Sequence, residues 1–385
     1  VANSLPGPRL NPRSLLAIAA VLAMAALAPL ATAPRGAHAV TWAKIAAGGT
    51  HTCAISVSGG LQCWGANDAG QLGNGGTGDQ SHPTPVIGLT AGVASVSAGL
   101  GHTCAVTTAG GLRCWGDNSF GQLGDGTTTQ RTAPVTVSGM SSGVAGVAAG
   151  AFHTCALTTA GAVRCWGDGF FGQIGNDDDA QENTPQQVTG MSSGIASISA
   201  GFAHTCALST TGGLRCWGLN AYGQIGDGSV AAQRNAPVNV SGLTSGVSSL
   251  SAGSFHTCAL LSAGGTRCWG DNTTGQIGDG TNAQRNSPTT TAAGLAPVAL
   301  GGGGSHTCAV IDTGGVSCWG HNAEGQLGNG SIDDVWSPVT VGGLPAAATA
   351  VAGGSEHSCA LLTGGAIYCW GSNLLGQLGT GDTGS

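Results

Sequence analysis

Gly99-Leu100-Gly101-His102-Thr103-Cys104-Ala105-Val106, then Gly111-Leu112-Arg113-Cys114-Trp115-Gly116, then Asn118 and Gly121-Gln122-Leu123-Gly124, is one of seven versions of the same text. The repeats are centred on His51, His102, His153, His204, His256, His306 and His357, spaced by 50 to 52 residues. Two positions after each histidine stands a cysteine: Cys53, Cys104, Cys155, Cys206, Cys258, Cys308 and Cys359. Ten positions later comes a second, Cys63, Cys114, Cys165, Cys216, Cys268, Cys318 or Cys369, followed at once by a tryptophan. A period of about 50 residues held this faithfully means one supersecondary unit copied along the chain.

Each unit reads as four short strands. In the third they are Pro134-Val135-Thr136-Val137, Val144-Ala145-Gly146-Val147-Ala148, His153-Thr154-Cys155-Ala156-Leu157 and Val163-Arg164-Cys165-Trp166. These are short, alternating or β-branched runs separated by glycine and serine turns, and no segment after residue 39 carries a capped helical period. Four antiparallel strands repeated seven times predict an all-β fold, a seven-bladed β-propeller of about 51-residue repeats. The 71 glycines and the 8% of charged residues then mark tight turns and close packing rather than disorder.

The cysteines test that reading. Folding the hairpin about Ala109 puts Cys104 and Cys114 directly opposite one another. The Cα separation of such a pair, about 4.5 Å, lies near the short end of the disulfide range. One disulfide per blade is therefore expected, pairing all 14 cysteines. Histidine and cysteine two apart share a strand face, so a metal site is the competing reading. It lacks the C-x₂₋₄-C knuckle and the four ligands of structural zinc sites. The histidines and tryptophans, present in every repeat, read as buried hydrogen-bonding and interblade packing groups.

An even cysteine count suits an oxidising compartment. Arg9 and Arg13 precede a 14-residue apolar run at 15–28. Small residues follow, with Ala31-Thr32-Ala33 and Ala37-His38-Ala39 as cleavage sites, which is the order of a secretory signal peptide. The run is too short for a membrane span of about 20 residues. The expected organisation is a signal peptide over 1–39, cleaved after Ala39, and a propeller over 40–385, secreted or held at the cell surface. Cleavage removes three arginines and no acid, leaving 8 basic and 18 acidic residues, a formal charge of −10. Such a surface repels phosphate backbones, which argues against nucleic acid as a partner. The ends of the repeat array do not match its middle. Either residues near 40–43 close the ring, or one blade is short of a strand.

The combined pattern Gly-x-x-His-x-x-Ala-Leu, Gly-Gly-x-x-x-Trp-Gly-x-Asn and Gly-Gln-Leu-Gly resembles the regulator of chromosome condensation repeat over residues 42–380. The resemblance implies a seven-bladed propeller, in agreement with the count. The paired cysteines, acidity and export signal depart from the nuclear members, so guanine-nucleotide exchange is not carried over. The same fold is similar to secreted bacterial propellers that inhibit class A β-lactamases, though fold alone does not give function.

Positions that vary between repeats are where a propeller places its specificity. The residue before Gly-Gln is Ala69, Phe120, Phe171, Tyr222, Thr274, Glu324 or Leu375, and Phe170 adjoins Phe171. Just before the histidines stand Leu100, Phe152, Phe202 and Phe255. Clustered aromatics serve as interface anchors or fill gaps between loops. The candidate partner-binding residues are Phe120, Phe170, Phe171, Tyr222, Phe152, Phe202 and Phe255. Asp177-Asp178-Asp179 with Glu182 forms a one-off acidic loop without the alternating ligand spacing of calcium loops. Asp312, His321, Glu324 and Glu356 are confined to the last two repeats and are the one cluster open to a catalytic reading. The expected function is a non-enzymatic, monomeric protein-binding module that needs no cofactor, its partner an extracellular or cell-surface protein. A β-lactamase inhibitor and an extracellular hydrolase or lyase are the alternatives.

Overall fold

The computed structural model describes residues 35–37, 40–291 and 295–384. Their 28 strands form seven sheets of four, each antiparallel throughout. Blade 2 shows the plan, with strands Val93–Ala98 (a), His102–Thr107 (b), Leu112–Gly116 (c) and Arg131–Thr136 (d) hydrogen-bonded in that order. The seven a strands adjoin one another around the central channel.

The four strands read for the third unit exist, but the first belongs to the neighbouring blade. Arg131–Thr136, which contains Pro134, is the outer strand of blade 2, with Val135 opposite Cys114. The reason is local. Proline cannot donate to a sheet ladder and is confined to edges, and every proline-bearing strand of the ring but one is a d strand at the rim.

The hairpin register is as expected. Cys104 faces Cys114 with a Cα separation of 4.1 Å, and all seven pairs are bridged, each closing a loop of the same length. On the chain-entropy account one such bridge contributes roughly 3 kcal/mol. Every sulfur is buried.

Each tryptophan closes a joint between blades. Trp115 is fully buried against Ile55, Leu72 and Val86 of blade 1, and its Nε1 donates to the Gln71 carbonyl at 2.9 Å. The indole lies so close that a Cβ at Gly73 would sit 2.6 Å from Nε1, and Gly73 has φ +66°. This is why the motif ends in glycine. The seven tryptophans repeat the bond at 2.8–3.0 Å, ending with Trp64 on Gln377.

The seven histidines are fully buried. Each Nε2 lies 2.8–2.9 Å from the hydroxyl of the next blade's b-strand Thr or Ser. That hydroxyl donates to the same glutamine carbonyl the tryptophan uses, at 2.7–3.3 Å. Both lone pairs of the carbonyl are thus occupied from the neighbouring blade. The histidines and cysteines are committed to structure, which removes the metal reading of His-x-Cys.

Neither expectation for the seam holds. Residues 42–47 form strand a of blade 1, and no blade lacks a strand, because Arg35–Ala37 pairs antiparallel with Ile367–Gly371 as strand d of blade 7. Its register sets Arg35 opposite Cys369 and Ala37 opposite Ile367. The apolar run at 15–28, the site at 31–33 and residues 38–39 lie outside the described residues.

Candidate protein-docking face

His102 pairs with Gly116, so the a–b turn and the c–d loop of a blade emerge at the same end. The b–c turn and the d–a linker emerge at the other. All seven a–b turns are tied into a closed ring by main-chain bonds: Gly49 to Gly99, Leu100 to Gly150, Ala151 to Phe202, Phe202 to Ser254, Ser254 to Gly303, Gly304 to Gly354 and Ser355 to Gly49. The channel mouth inside this ring is lined by glycine, alanine and serine with Leu100 and Phe202, and carries no titratable side chain. A central catalytic constellation has no groups to work with there.

In six blades a buried asparagine holds the c–d loop, and in blade 3 Gly169 stands in its place. The buried Asn118 accepts from Leu123 N–H (2.9 Å) and donates to the carbonyls of Thr127 and Thr129 (both 3.0 Å), holding both limbs of the loop. The Gln122 side chain accepts from Phe120 N–H (2.9 Å) and donates to Asp117 (2.7 Å). Residue 120 and its counterparts outside blade 3 are therefore presented on a backbone tied down by the asparagine, while the side chain itself is free to vary.

Two variable positions meet at the joints of blades 2 and 3, 4 and 5, 5 and 6, and 6 and 7. The residue before Gly-Gln in one blade approaches the residue before the histidine in the next. At the joint of blades 2 and 3 these are Phe120 and Phe152, with ring centroids 5.2 Å apart. At that of blades 4 and 5 they are Tyr222 and Phe255, again 5.2 Å. Phe202 bridges the two joints, 5.7 Å from Phe152 and 5.2 Å from Phe255. Five of the seven expected aromatics thus form one continuous arc, Phe120, Phe152, Phe202, Phe255 and Tyr222, across blades 2 to 5. Each is partly open to solvent, Tyr222 most at 39%. Phe170 and Phe171 are in edge contact with each other at 4.9 Å, at the blade 3 loop, rather than in ring contact with the arc.

On the same face, the joint of blades 6 and 7 has the same two positions filled by Glu324 and Glu356. His321 Nδ1 lies 3.0 Å from Asp334 Oδ1, and its Nε2 lies 3.8 Å from Glu356 Oε2. Gln326 Nε2 donates to Glu356 Oε2 at 2.5 Å. Desolvation, offset in part by His321 but reinforced by the charges of Glu324 and Asp334, pushes the Glu356 carboxyl up to about 7. Asp312 does not join this group. It follows strand b in the b–c turn at the opposite end of the blade. Asp334 does join. Its counterpart Asp79 caps Asn67 N–H as Asp334 caps Asn322, and that shared spacing was the available signal.

Two carboxylates of the acidic loop of blade 3 are engaged by neighbouring groups, one side-chain hydroxyl and one backbone N–H. Asp177 adopts a left-handed φ of 73° and accepts from Thr189, and Asp178 accepts from Ala180 N–H. Among the described residues no group of three or more His, Cys, Asp or Glu could hold a metal ion.

Comparison with known proteins agrees with this architecture. The family description "RCC1-like domain" matches residues 22–342, and a "Regulator of chromosome condensation (RCC1) repeat" matches 348–377. The ultraviolet-B receptor UVR8 of Arabidopsis thaliana is 36% identical over 256 residues, which is 65% of this chain and 58% of the receptor. The human E3 ubiquitin-protein ligase HERC2 is 32% identical over 258 residues, 66% of this chain but 5% of the ligase. The chain thus spans under two thirds of the length of either relative. Among solved structures, human WBSCR16 superposes with a TM-score of 0.74 at 24% identity, covering 86% of this chain and 87% of that one. Prp20p of Saccharomyces cerevisiae gives 0.73 at 22%, covering 85% and 81%. With the repeat matched along most of its length and all seven blades in place, the chain belongs to the family of RCC1-like domains.

Proposed function

We propose that this propeller is an extracytoplasmic protein-binding module that engages its partner through the face carrying the a–b turns and c–d loops. The observation that carries the reading is the continuous aromatic arc of Phe120, Phe152, Phe202, Phe255 and Tyr222. Contiguous aromatics, held on fixed backbone and ringed by polar loops, are the usual anchors of protein interfaces. Yeast Prp20p, which shares the fold, binds Gsp1p and histones. The extracytoplasmic setting is supported by seven disulfides with no free cysteine among the described residues, and by the export-like N-terminal sequence. On this reading the module binds its partner and does no chemistry on it. The channel mouth offers no titratable group, and the histidines are buried in joints.

The test is capture with the oxidised chain as bait against purified secreted and surface proteins, with class A β-lactamases in the pool. Specific capture that is lost with Phe152→Ala, Phe202→Ala and Phe255→Ala, but kept with Phe170→Ala and Phe171→Ala, supports the reading. Capture indifferent to the arc overturns it.

A further inference from the structure

The seven joints of the docking face are built on one plan, so their side chains can be read as a sequence around the ring. The joint of blades 2 and 3 is Phe120 with Phe152, and that of blades 4 and 5 is Tyr222 with Phe255, linked by Phe202. The next joint is Thr274 with Ser305, where the threonine hydroxyl donates to the Ser305 carbonyl at 3.2 Å. The one after is Glu324 with Glu356, with Asp334 beside them. Apolar, hydroxyl and acidic joints thus follow in order on a single face.

The acidic joint is short of positive charge. Three arginines near the c–d loops are already engaged, Arg131 with Asp125, Arg234 with Asp227 and Arg285 with Asp279. Among the described residues, the ion-pair partner of Glu356 is His321, whose other nitrogen is held by Asp334. Two carboxylates, Asp334 and Glu356, therefore share one imidazole, with the Glu324 charge acting on Glu356 as well, on a chain of net charge −7. Like charges held this close are relieved when an opposite charge binds.

We infer that the partner segment is both apolar and cationic: its aromatic or aliphatic side chains lie on Phe152, Phe202 and Phe255, and a lysine or arginine beyond them reaches Glu324 and Glu356. This rests on the docking reading above and adds the partner's chemistry to it. The apolar contacts supply most of the affinity, and the cation fixes the segment's direction around the ring.

The test is selection of a phage-displayed random dodecapeptide library on the oxidised chain, followed by titration of the selected peptides. Enriched peptides should carry apolar residues with a lysine or arginine to one side. Their affinity should fall by roughly 30-fold with Phe202→Ala and by about fivefold with each of Glu324→Gln and Glu356→Gln, and it should weaken with added salt. Replacing Glu356 by Lys should abolish binding of the basic peptide, and exchanging the peptide's lysine for glutamate should restore it. A merely misfolded variant cannot show that rescue. Peptides that need Phe202 but show no basic residue and no response at Glu324 or Glu356 would overturn the cationic partner and leave the docking face standing. Peptides indifferent to the arc, or none selected, would overturn both.

Discussion

Nε2 of His357 lies 2.9 Å from Oγ1 of Thr52, although the two residues are 305 positions apart. The same contact, at 2.8–2.9 Å to a threonine or serine hydroxyl, joins the six pairs of consecutive blades, so the seam is chemically equivalent to those joints. Thr52 gives its proton to the Gln377 carbonyl at 2.9 Å. The imidazole must therefore be the donor, which fixes the neutral tautomer with the proton on Nε2.

Breaking one joint should be costly, and the conservative change should not be. Thr205→Val leaves His153 Nε2 without an acceptor and takes one of two donors from the Gln173 carbonyl. A buried donor left unsatisfied costs about 1–3 kcal/mol, to be read as a lowered urea midpoint. Thr205→Ser should stay close to wild type, because Ser358 already does this work in blade 7. Equal losses for the two variants would show that the hydroxyl contributes nothing.

The histidine belt makes the ring acid-sensitive. Burial holds each imidazole at about 3 to 4, against an ordinary value of 6.5. As pH falls below 6.5 the unfolded chain takes up protons that the folded one refuses, so stability drops. It is fully present above 6.5, and by pH 5 each histidine has cost on the order of 2 kcal/mol. Urea unfolding at pH 7.5 and pH 5 should differ strongly. A flat profile would mean that the imidazoles are protonated in the folded state.

Glu356 should act in the opposite direction. Its carboxyl sits above the ordinary carboxylate range because of desolvation and the charges of Glu324 and Asp334, with His321 pulling the other way. The folded form therefore holds a proton that the unfolded form releases between pH 4.5 and about 7, and stability falls as pH rises through that window. Glu356→Gln should raise the melting temperature at pH 8 and leave it nearly unchanged at pH 4.5. Comparing variant with wild type at each pH cancels the histidine effect. An identical shift at both pH values would remove ionisation as the cause.

Closure of blade 7 can be read by hydrogen exchange. Removing residues 1–39 deletes the strand Arg35–Ala37 and leaves the Ile367–Gly371 edge unpaired. Exchange should quicken in that strand while the c strands of the other six blades keep their protection. Unchanged protection at 367–371 would show that the strand is dispensable.

The sequence specified most of the fold because its strongest signals are short-range. The ten-residue spacing of Cys104 and Cys114 fixes a hairpin register, and that register was found in every blade. The phase of the repeat was harder. A periodic text has no natural starting point, so sequence order alone groups the proline strand with the blade that follows it. Only its edge position on the far side of Cys114 settles the matter. The site was half legible. Phe120, Phe152, Phe202, Phe255 and Tyr222 could be picked out as variable aromatics, yet Phe120 and Phe152 meet across a joint that no local pattern reveals. Phe170 and Phe171 satisfy the same criterion and contact each other rather than the rings of the arc. Rarity alone groups Asp312 with Glu356, and the fold places the two at opposite ends of their blades.

The tryptophan bonds also give the ring an order of assembly. Trp115 finds its acceptor at Gln71, 44 residues earlier, and each later tryptophan finds one 43 to 45 residues back. Each new blade can thus be docked onto a surface that the ribosome has already delivered. Trp64 is the exception, since its acceptor at Gln377 is 313 residues ahead. Growth by short steps is fast and a single long closure is slow, so the late state expected in folding is an open crescent whose two raw ends present Trp64 and Gln377. That crescent, rather than the finished ring, is the state in which the protein is exposed to misassembly with its own copies.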